Sequence, residues 1–193
     1  MSGAGFHVHG PHDHEVEHAA QHGDKDRFAG SIAVMTAILA TVGALFAYMG
    51  GATQANAGLY KNNAAIKKTE ASNQWNYYQA KSSKQNLAEL AAEIVTTDDK
   101  RAQYKGEVER YKKEKVEIQK GAEKLEAQAT DWDAQSDAQM HLHHRWAQAT
   151  TALQISIAMA AMALLTRRKW LEWAMFGMSG IGVVLGGMAL AHL

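Results

Sequence analysis

Long apolar runs with almost no charge flank a long charged stretch of helical character along the chain. Three apolar runs occupy residues 28–51, 146–166 and 170–193. At about 1.5 Å per residue, a helix of 20 residues crosses a hydrocarbon core of about 30 Å. The last run contains one charge, Glu172, which lies between two tryptophans as an interfacial residue would. The pattern predicts three transmembrane helices.

The orientation of these helices follows from a basic turn at residues 167–169. Arg167, Arg168 and Lys169 separate the second and third apolar runs. Short basic loops favour the cytoplasmic side of a membrane. We therefore expect a multi-pass protein with a cytoplasmic N-terminus, and a middle region that is periplasmic in a Gram-negative cell.

A cleaved signal peptide is the alternative reading of the first apolar run, because an A-x-A triplet at residues 55–57 follows it. Signal peptides, however, begin with a basic segment and carry an apolar run of about 7–15 residues. Here the preceding segment is rich in His and acidic residues, and the apolar run is longer. We expect the run to be retained as a membrane helix.

The middle region carries apolar residues at heptad spacing in two blocks, 52–97 and 98–145. The first block has Leu59, Ile66, Asn73, Ala80, Leu87 and Ile94 every seven residues; the second alternates in steps of four and three through Tyr104, Val108, Tyr111, Lys115, Ile118, Ala122, Leu125, Ala129 and Trp132. This spacing is typical of coiled coils. The predicted fold is all-α, with three transmembrane helices and a long antiparallel coiled-coil hairpin between the first and second.

The turn of this hairpin is predicted at residues 96–100, where Thr and Asp supply turn and N-cap chemistry. A turn centred near residue 99 brings together positions whose numbers sum to 198. Ile94 would then meet Tyr104, and Leu87 would meet Tyr111. The two heptad series would face each other as the seam of the hairpin.

One hairpin of this length, with several Asn and Ser in its seam, is marginal alone, which leads us to expect a homo-oligomer. Small residues at GxxxG spacing allow close helix packing in a membrane. The residues expected to act in packing or oligomer contacts are Trp75, Tyr77, Tyr78, Gln79, Tyr104, Tyr111, Trp132, Gly182 and Gly186.

Charge and motif content argue against several functional classes. Lys and Arg balance Asp and Glu at 20 each, so the chain has no net basic charge for nucleic acid. It contains no Cys, and no catalytic or phosphate-binding motif stands out from the helical charge pattern. We expect a non-enzymatic, self-associating membrane scaffold whose partners are lipids and other copies of itself.

A metal-binding role is the first alternative, because the N-terminal tail at residues 1–27 is rich in His and acidic residues. Its candidate transition-metal ligands are His14, His18 and His22, whose spacing of four would align them on one helix face. No closed ligand set is specified, so we expect no cofactor.

A channel or transporter accessory subunit is the second alternative. Thr150, Thr151, Gln154 and Ser156 give the second apolar run a polar side. Such residues either form hydrogen bonds between helices or line a water path. No acidic or basic residue lies deep in any run, which favours the first role.

The segment SNQWNYYQAKSSKQN at residues 72–86 resembles the signature of a bacterial inner-membrane family known only as a domain of unknown function. Its most specific part is WNYYQAK, from Trp75 to Lys81. The resemblance implies an acidic, His-bearing N-terminus, one membrane helix, a charged helical middle and two closing membrane helices. It implies no catalytic residues.

Overall fold

A computed structural model describes residues 27–191, and nearly all of them lie in three helices. The helices are α1 (Arg27–Ile94), α2 (Asp98–Thr166) and α3 (Lys169–Leu190). No strand occurs within this described part of the chain. The prediction of an all-α fold is therefore confirmed for these residues. Each helix contains a window long and apolar enough to cross a membrane.

Residues 95–97 connect α1 to α2. Arg101 stabilises this turn: its side chain donates to the Val95 carbonyl at 2.9 Å and pairs with Asp98 at 2.8 Å. Asp98 and Asp99 lie in the first turn of α2, where the helix dipole favours negative charge. The expectation of a turn centred near residue 99 is wrong, because these aspartates begin the helix instead of forming the loop.

The connection between α2 and α3 is shorter than the predicted basic turn at 167–169, because Lys169 already belongs to α3. Arg167 has a φ of 52°, the left-handed conformation in which many helices end. Arg168, which follows it, is extended and precedes the first residue of α3. These two residues therefore reverse the chain direction.

The chain divides into two compact units. Unit 1 contains residues up to Gly51 and from Leu142 onward, so its described part holds the start of α1, the end of α2, and α3. Unit 2 is Ala52–His141, in which the remaining parts of α1 and α2 form an antiparallel pair.

The helix pair of unit 2 packs through small side chains. The buried residues Ala57, Ala64, Ala71 and Ala92 belong to one seven-residue series on α1, and Val108, Ala122, Ala129 and Ser136 belong to one on α2. Small residues allow two helix backbones to approach closely. The Ser136 hydroxyl accordingly donates across the pair to the Ala57 carbonyl at 2.9 Å.

This small-residue seam corrects the predicted register. Ala57 lies opposite Ser136, and Tyr78 lies opposite Lys115, so facing residues have numbers that sum to 193 and not 198. The predicted heptad of α2 does form its buried and half-buried side, which confirms that part of the prediction.

The predicted heptad of α1 faces away from α2. Leu59, Ile66, Leu87 and Ile94 are 55%, 47%, 66% and 68% exposed. The expectation that this series forms the seam of the hairpin is therefore wrong. The physical reason is that the alanine series, two residues earlier in each heptad, permits a closer approach than branched side chains would.

The core of unit 1 is apolar and joins all three helices. Ile32 of α1, Ala160 and Ala163 of α2, and Leu171 and Met175 of α3 form one buried cluster. The fully buried Ser156 hydroxyl donates to the Met175 carbonyl at 2.8 Å, which links α2 to α3. A buried hydroxyl needs such a partner, because leaving it unpaired costs about 1–3 kcal/mol.

We predict that Ala122→Leu destabilises the helix pair of unit 2. Ala122 is fully buried in the seam, so three extra carbon atoms must push the helices apart, at a cost of about 1–3 kcal/mol. Thermal unfolding followed by circular dichroism measures the effect. Ala127→Leu, at an exposed position of the same helix, is the matched control and should change little. Equal melting temperatures for the two variants would contradict the seam.

Candidate functional site

The WNYYQAK segment lies on α1 within unit 2. Trp75, Tyr78 and Lys81 are half-buried, whereas Tyr77 and Gln79 are exposed. At 3.6 residues per turn, the first three share the side of α1 that faces α2. The segment therefore contributes an aromatic pair and one cation to the contact between the helices.

Trp75 and Tyr78 form the aromatic part of the site. Their ring centroids are 5.7 Å apart with an interplanar angle of 73°, an edge-to-face arrangement. Trp75 also donates its indole N–H to Glu126 Oε1 of α2 at 2.8 Å. The aromatic pair is thereby tied to the opposite helix by a hydrogen bond to a charged group.

Lys81 is the centre of the polar part of the site. Its ammonium group pairs with Glu114 at 2.6 Å and lies 5.2 Å from the Tyr77 ring centroid and 5.5 Å from that of Tyr111. The hydrogen-bonded Glu114 carboxylate raises the pKa of Lys81, and Lys81 lowers the pKa of Glu114. Both groups are thus held in their charged forms at neutral pH.

Two further cations contact aromatic rings beside Lys81. Lys115, the only charged residue in the predicted heptad of α2, lies 5.1 Å from the Tyr78 ring centroid. The Arg110 guanidinium lies 4.9 Å from the Tyr111 centroid. A cation within about 6 Å of a ring face is attracted to it. The contact with the Tyr78 ring stabilises the charge of Lys115 between the two helices.

The remaining aromatic candidates also lie in the helix pair of unit 2. Trp132 contacts Tyr60 of α1, with ring centroids 5.5 Å apart. Tyr104 and Tyr111 are half-buried on the side of α2 that faces α1. Gln79, in contrast, is exposed on α1 and is not brought to this contact.

The two glycines of the GxxxG motif pack within the chain. A Cβ atom added at Gly182 would lie 2.8 Å from Leu153 Cδ2 and 3.3 Å from the Ala149 carbonyl oxygen, so α3 approaches α2 closely there. A Cβ atom at Gly186 would overlap the ring of Phe46 on α1. These glycines therefore bring the three helices of unit 1 together.

The polar residues of the second apolar run are mostly satisfied within unit 1. Thr150 and Thr151 donate to carbonyl oxygens one turn earlier on α2, at 2.8 Å each. Ser156 joins α2 to α3, as described above. Gln154 is exposed on α2. A water path lined by Thr150 and Gln154 would therefore have to form between copies of the chain.

An aromatic and histidine contact stabilises the other end of unit 1. Phe46 and Trp146 have ring centroids 5.2 Å apart. His143 Nδ1 lies 2.8 Å from the Gly50 carbonyl oxygen, which accepts a hydrogen bond from this nitrogen in the Nδ1–H tautomer. These contacts position α1 against α2.

The comparison with protein families identifies the family of this chain. The profile of the family described as a domain of unknown function, DUF4337, matches residues 28–192. The chain belongs to the DUF4337 family. The predicted resemblance to a family of unknown function is confirmed. Comparisons of this DUF4337 chain with curated proteins and with solved structures found no match.

The candidate metal ligands His14, His18 and His22 lie outside the described residues and outside the DUF4337 match. Within residues 27–191, no group of three or more His, Asp or Glu side chains is arranged to hold a metal ion. The metal-binding alternative therefore depends wholly on the N-terminal tail.

Two features of the site were missed by sequence reasoning. The alanine series on α1 gives a weaker hydrophobic signal than the leucines and isoleucines two residues later in the heptad, although its seven-residue spacing is present in the sequence. The pairing of Lys81 with Glu114 was also missed, since it depends on the corrected register. No spacing signal in either helix alone indicates this pairing.

We predict that Gly182→Val destabilises unit 1. The new side chain must displace the fully buried Leu153, so the cost should be about 1–3 kcal/mol. Gly180→Val is the matched control, because a Cβ atom there has no neighbour within 4 Å. Thermal unfolding of the detergent-solubilised variants measures the difference. Equal stability would show that α3 does not pack against α2 through Gly182.

We predict that Glu114→Gln lowers the melting temperature at neutral pH, because it removes the partner of Lys81. Because the pKa of Glu114 is lowered in the folded state, this carboxylate stabilises the fold at pH values above its unfolded pKa of about 4.3. The stabilisation is lost as the pH falls through the lower folded pKa. Because the pKa of Lys81 is raised in the folded state, its ammonium group stabilises the fold at pH values below its unfolded pKa of about 10.4. This stabilisation is lost as the pH rises through the folded pKa.

The melting temperatures of the original chain and Glu114→Gln should therefore differ most between about pH 5 and pH 10, and converge in acid. Glu117→Gln is the control, since Glu117 is exposed and no ion pair to it is found in the described part of α2. A pH-independent difference for Glu114→Gln would count against the ion pair.

Proposed function

We propose that this chain is a non-enzymatic, self-associating membrane scaffold. Unit 1 lies in the lipid bilayer, and unit 2 is a coiled-coil hairpin outside it. The proposal includes no cofactor and no nucleic-acid partner; its partners are membrane lipids and other copies of the chain. The observation that carries it is an exposed, uncharged apolar series on α1 of unit 2. Unit 2 as a whole has too many polar residues to lie in lipid, so another protein surface is needed to cover this series.

The composition and surface of unit 1 support the membrane part of the proposal. Residues 28–51 contain no charged side chain. Large apolar residues cover the outer surface of the unit, including Val34, Leu45, Leu165 and Val184, which are all more than half exposed. In water such a surface would aggregate, whereas lipid tails solvate it.

Features at one end of α3 support the proposed orientation. Trp170 and Trp173 are exposed beside Glu172, as expected of residues at a membrane interface. The preceding Arg167, Arg168 and Lys169 favour the cytoplasmic side. We accordingly propose a bacterial inner-membrane protein with a cytoplasmic N-terminus and unit 2 in the periplasm.

The site chemistry supports a structural role for the WNYYQAK segment. Two of its cation–ring contacts, Lys81 with Tyr111 and Tyr78 with Lys115, and its hydrogen bond to Glu126 run between α1 and α2 of unit 2. Each described polar contact of Trp75 and Lys81 is made to a side chain of the same pair. These interactions position two helices against each other, which is what a scaffold requires.

We predict that the full chain stays in the membrane fraction after alkaline carbonate extraction, and that native mass spectrometry from lipid nanodiscs gives a multiple of its 21.1 kDa mass. Apolar helices should resist extraction, and association should persist when the detergent concentration is raised tenfold. Release into the aqueous fraction would contradict the membrane part. A single 21.1 kDa species at every protein concentration would contradict self-association.

A further inference from the structure

The outward side of α1 in unit 2 carries a continuous heptad series that the contact with α2 leaves uncovered. We call it the outer stripe. All of its residues are exposed: Leu59, Asn62, Ile66, Thr69, Asn73, Asn76, Ala80, Ser83, Leu87, Leu90 and Ile94. Their spacing alternates in steps of three and four over 36 residues, which corresponds to about 54 Å of helix.

The outer stripe contains no charged residue, although the same stretch of α1 has eight. Residues 52–94 carry eight charged side chains, against twenty in residues 98–141. Two of the α1 lysines, Lys61 and Lys81, pair with Asp133 and Glu114 of α2. Exposed helix faces in water are usually charged. The uncharged outer stripe therefore differs from an ordinary solvated surface.

The geometry of α1 leaves room for a partner at the outer stripe. At about 100° per residue, the centre of the stripe lies roughly 170° around the helix from the alanine series. A third helix can approach there without displacing α2. Period-seven spacing matches a helical partner that winds around α1 at the same pitch.

We propose that the outer stripe is a parallel, in-register coiled-coil interface with the outer stripe of a second copy of this chain. The inference rests on the proposed membrane scaffold, because copies inserted in one membrane with one topology have α1 running in the same direction. Parallel α1 helices place each stripe residue beside its own counterpart. Leu59, Ile66, Leu87 and Ile94 then pack against themselves.

The polar residues of the outer stripe favour an identical partner over a different protein. Asn73 and Asn76 carry amides that both donate and accept, so each can form a hydrogen bond with its own counterpart. A buried Asn in a heptad series fixes register and favours two strands, at a cost in stability. The absence of charge means that no like-charge pair arises when the stripe meets its own copy.

Cysteine cross-linking tests this interface directly, because the chain contains no Cys. Single variants Leu87→Cys and Leu90→Cys are oxidised in lipid nanodiscs. We expect a disulfide-linked species at twice the monomer mass for both, since each position lies beside itself in the proposed dimer. The matched control is Val116→Cys, at a 49% exposed position of α2, and it should cross-link at least tenfold more slowly.

A second variant removes the interface instead of trapping it. The double substitution Leu87→Asp with Leu90→Asp places four carboxylates together in the dimer, so we expect at least a tenfold weaker association by native mass spectrometry. Val116→Asp is the control and should associate as the original chain does. Helicity by circular dichroism should be unchanged in both, because these positions are exposed in unit 2.

These measurements separate this inference from the proposed function. If the original chain is monomeric in nanodiscs, both are overturned. If it is oligomeric but Val116→Cys cross-links as fast as Leu87→Cys, or the aspartates leave association unchanged, the outer stripe is not the interface and self-association stands. An original chain found only with a different bound protein, and no second copy, would also overturn the inference.

Discussion

The close approach of α1 and α2 through small side chains determines most other features of unit 2. Alanines recur every seven residues on α1 and meet Ala122, Ala129 and Ser136 on α2. The buried hydrophobic residues of α1 in unit 2 are all alanines, whereas α2 buries the branched Val108 and Ile118 beside its own small residues. Leu59 and Ile66 therefore lie on the outer side of α1. The two helices pack against each other and leave these apolar side chains exposed.

The same constraint explains the arrangement of the WNYYQAK segment. Where the alanine series is interrupted at Tyr78, the facing residue is Lys115, and a cation–ring contact replaces alanine packing. One turn further along α1, Lys81 pairs with Glu114 between two tyrosine rings. The DUF4337 family is described as a domain of unknown function, so membership assigns no activity to these residues. Their contacts are consistent with a role in fixing the register of α1 against α2.

The sequence predicted the helical character of the chain, but not which side of α1 faces α2. Apolar run length and heptad spacing were sufficient to predict the all-α fold of the described residues and the buried side of α2. They failed for α1 because that helix carries two heptad series, and the larger residues form the outward one. Hydrophobicity alone cannot show which series meets α2; the size of the facing residues decides it. The ion pair of Lys81 followed from that choice and was missed with it.

In unit 1, Gly182 and Gly186 were identified by spacing, but their partners Leu153 and Phe46 depend on three-helix packing that spacing does not encode.

We propose that α1 of unit 2 has two distinct helix-binding sides, a small-residue side for α2 and an uncharged side for a second copy. A cryo-electron microscopy map of the full chain in lipid nanodiscs, at a resolution that shows side chains, tests it most directly. We expect the map to show Ala64 and Ala71 against α2 of the same chain, with Leu87 against Leu87 of another copy. A map with Leu59 and Ile66 packed against α2 of their own chain would contradict it.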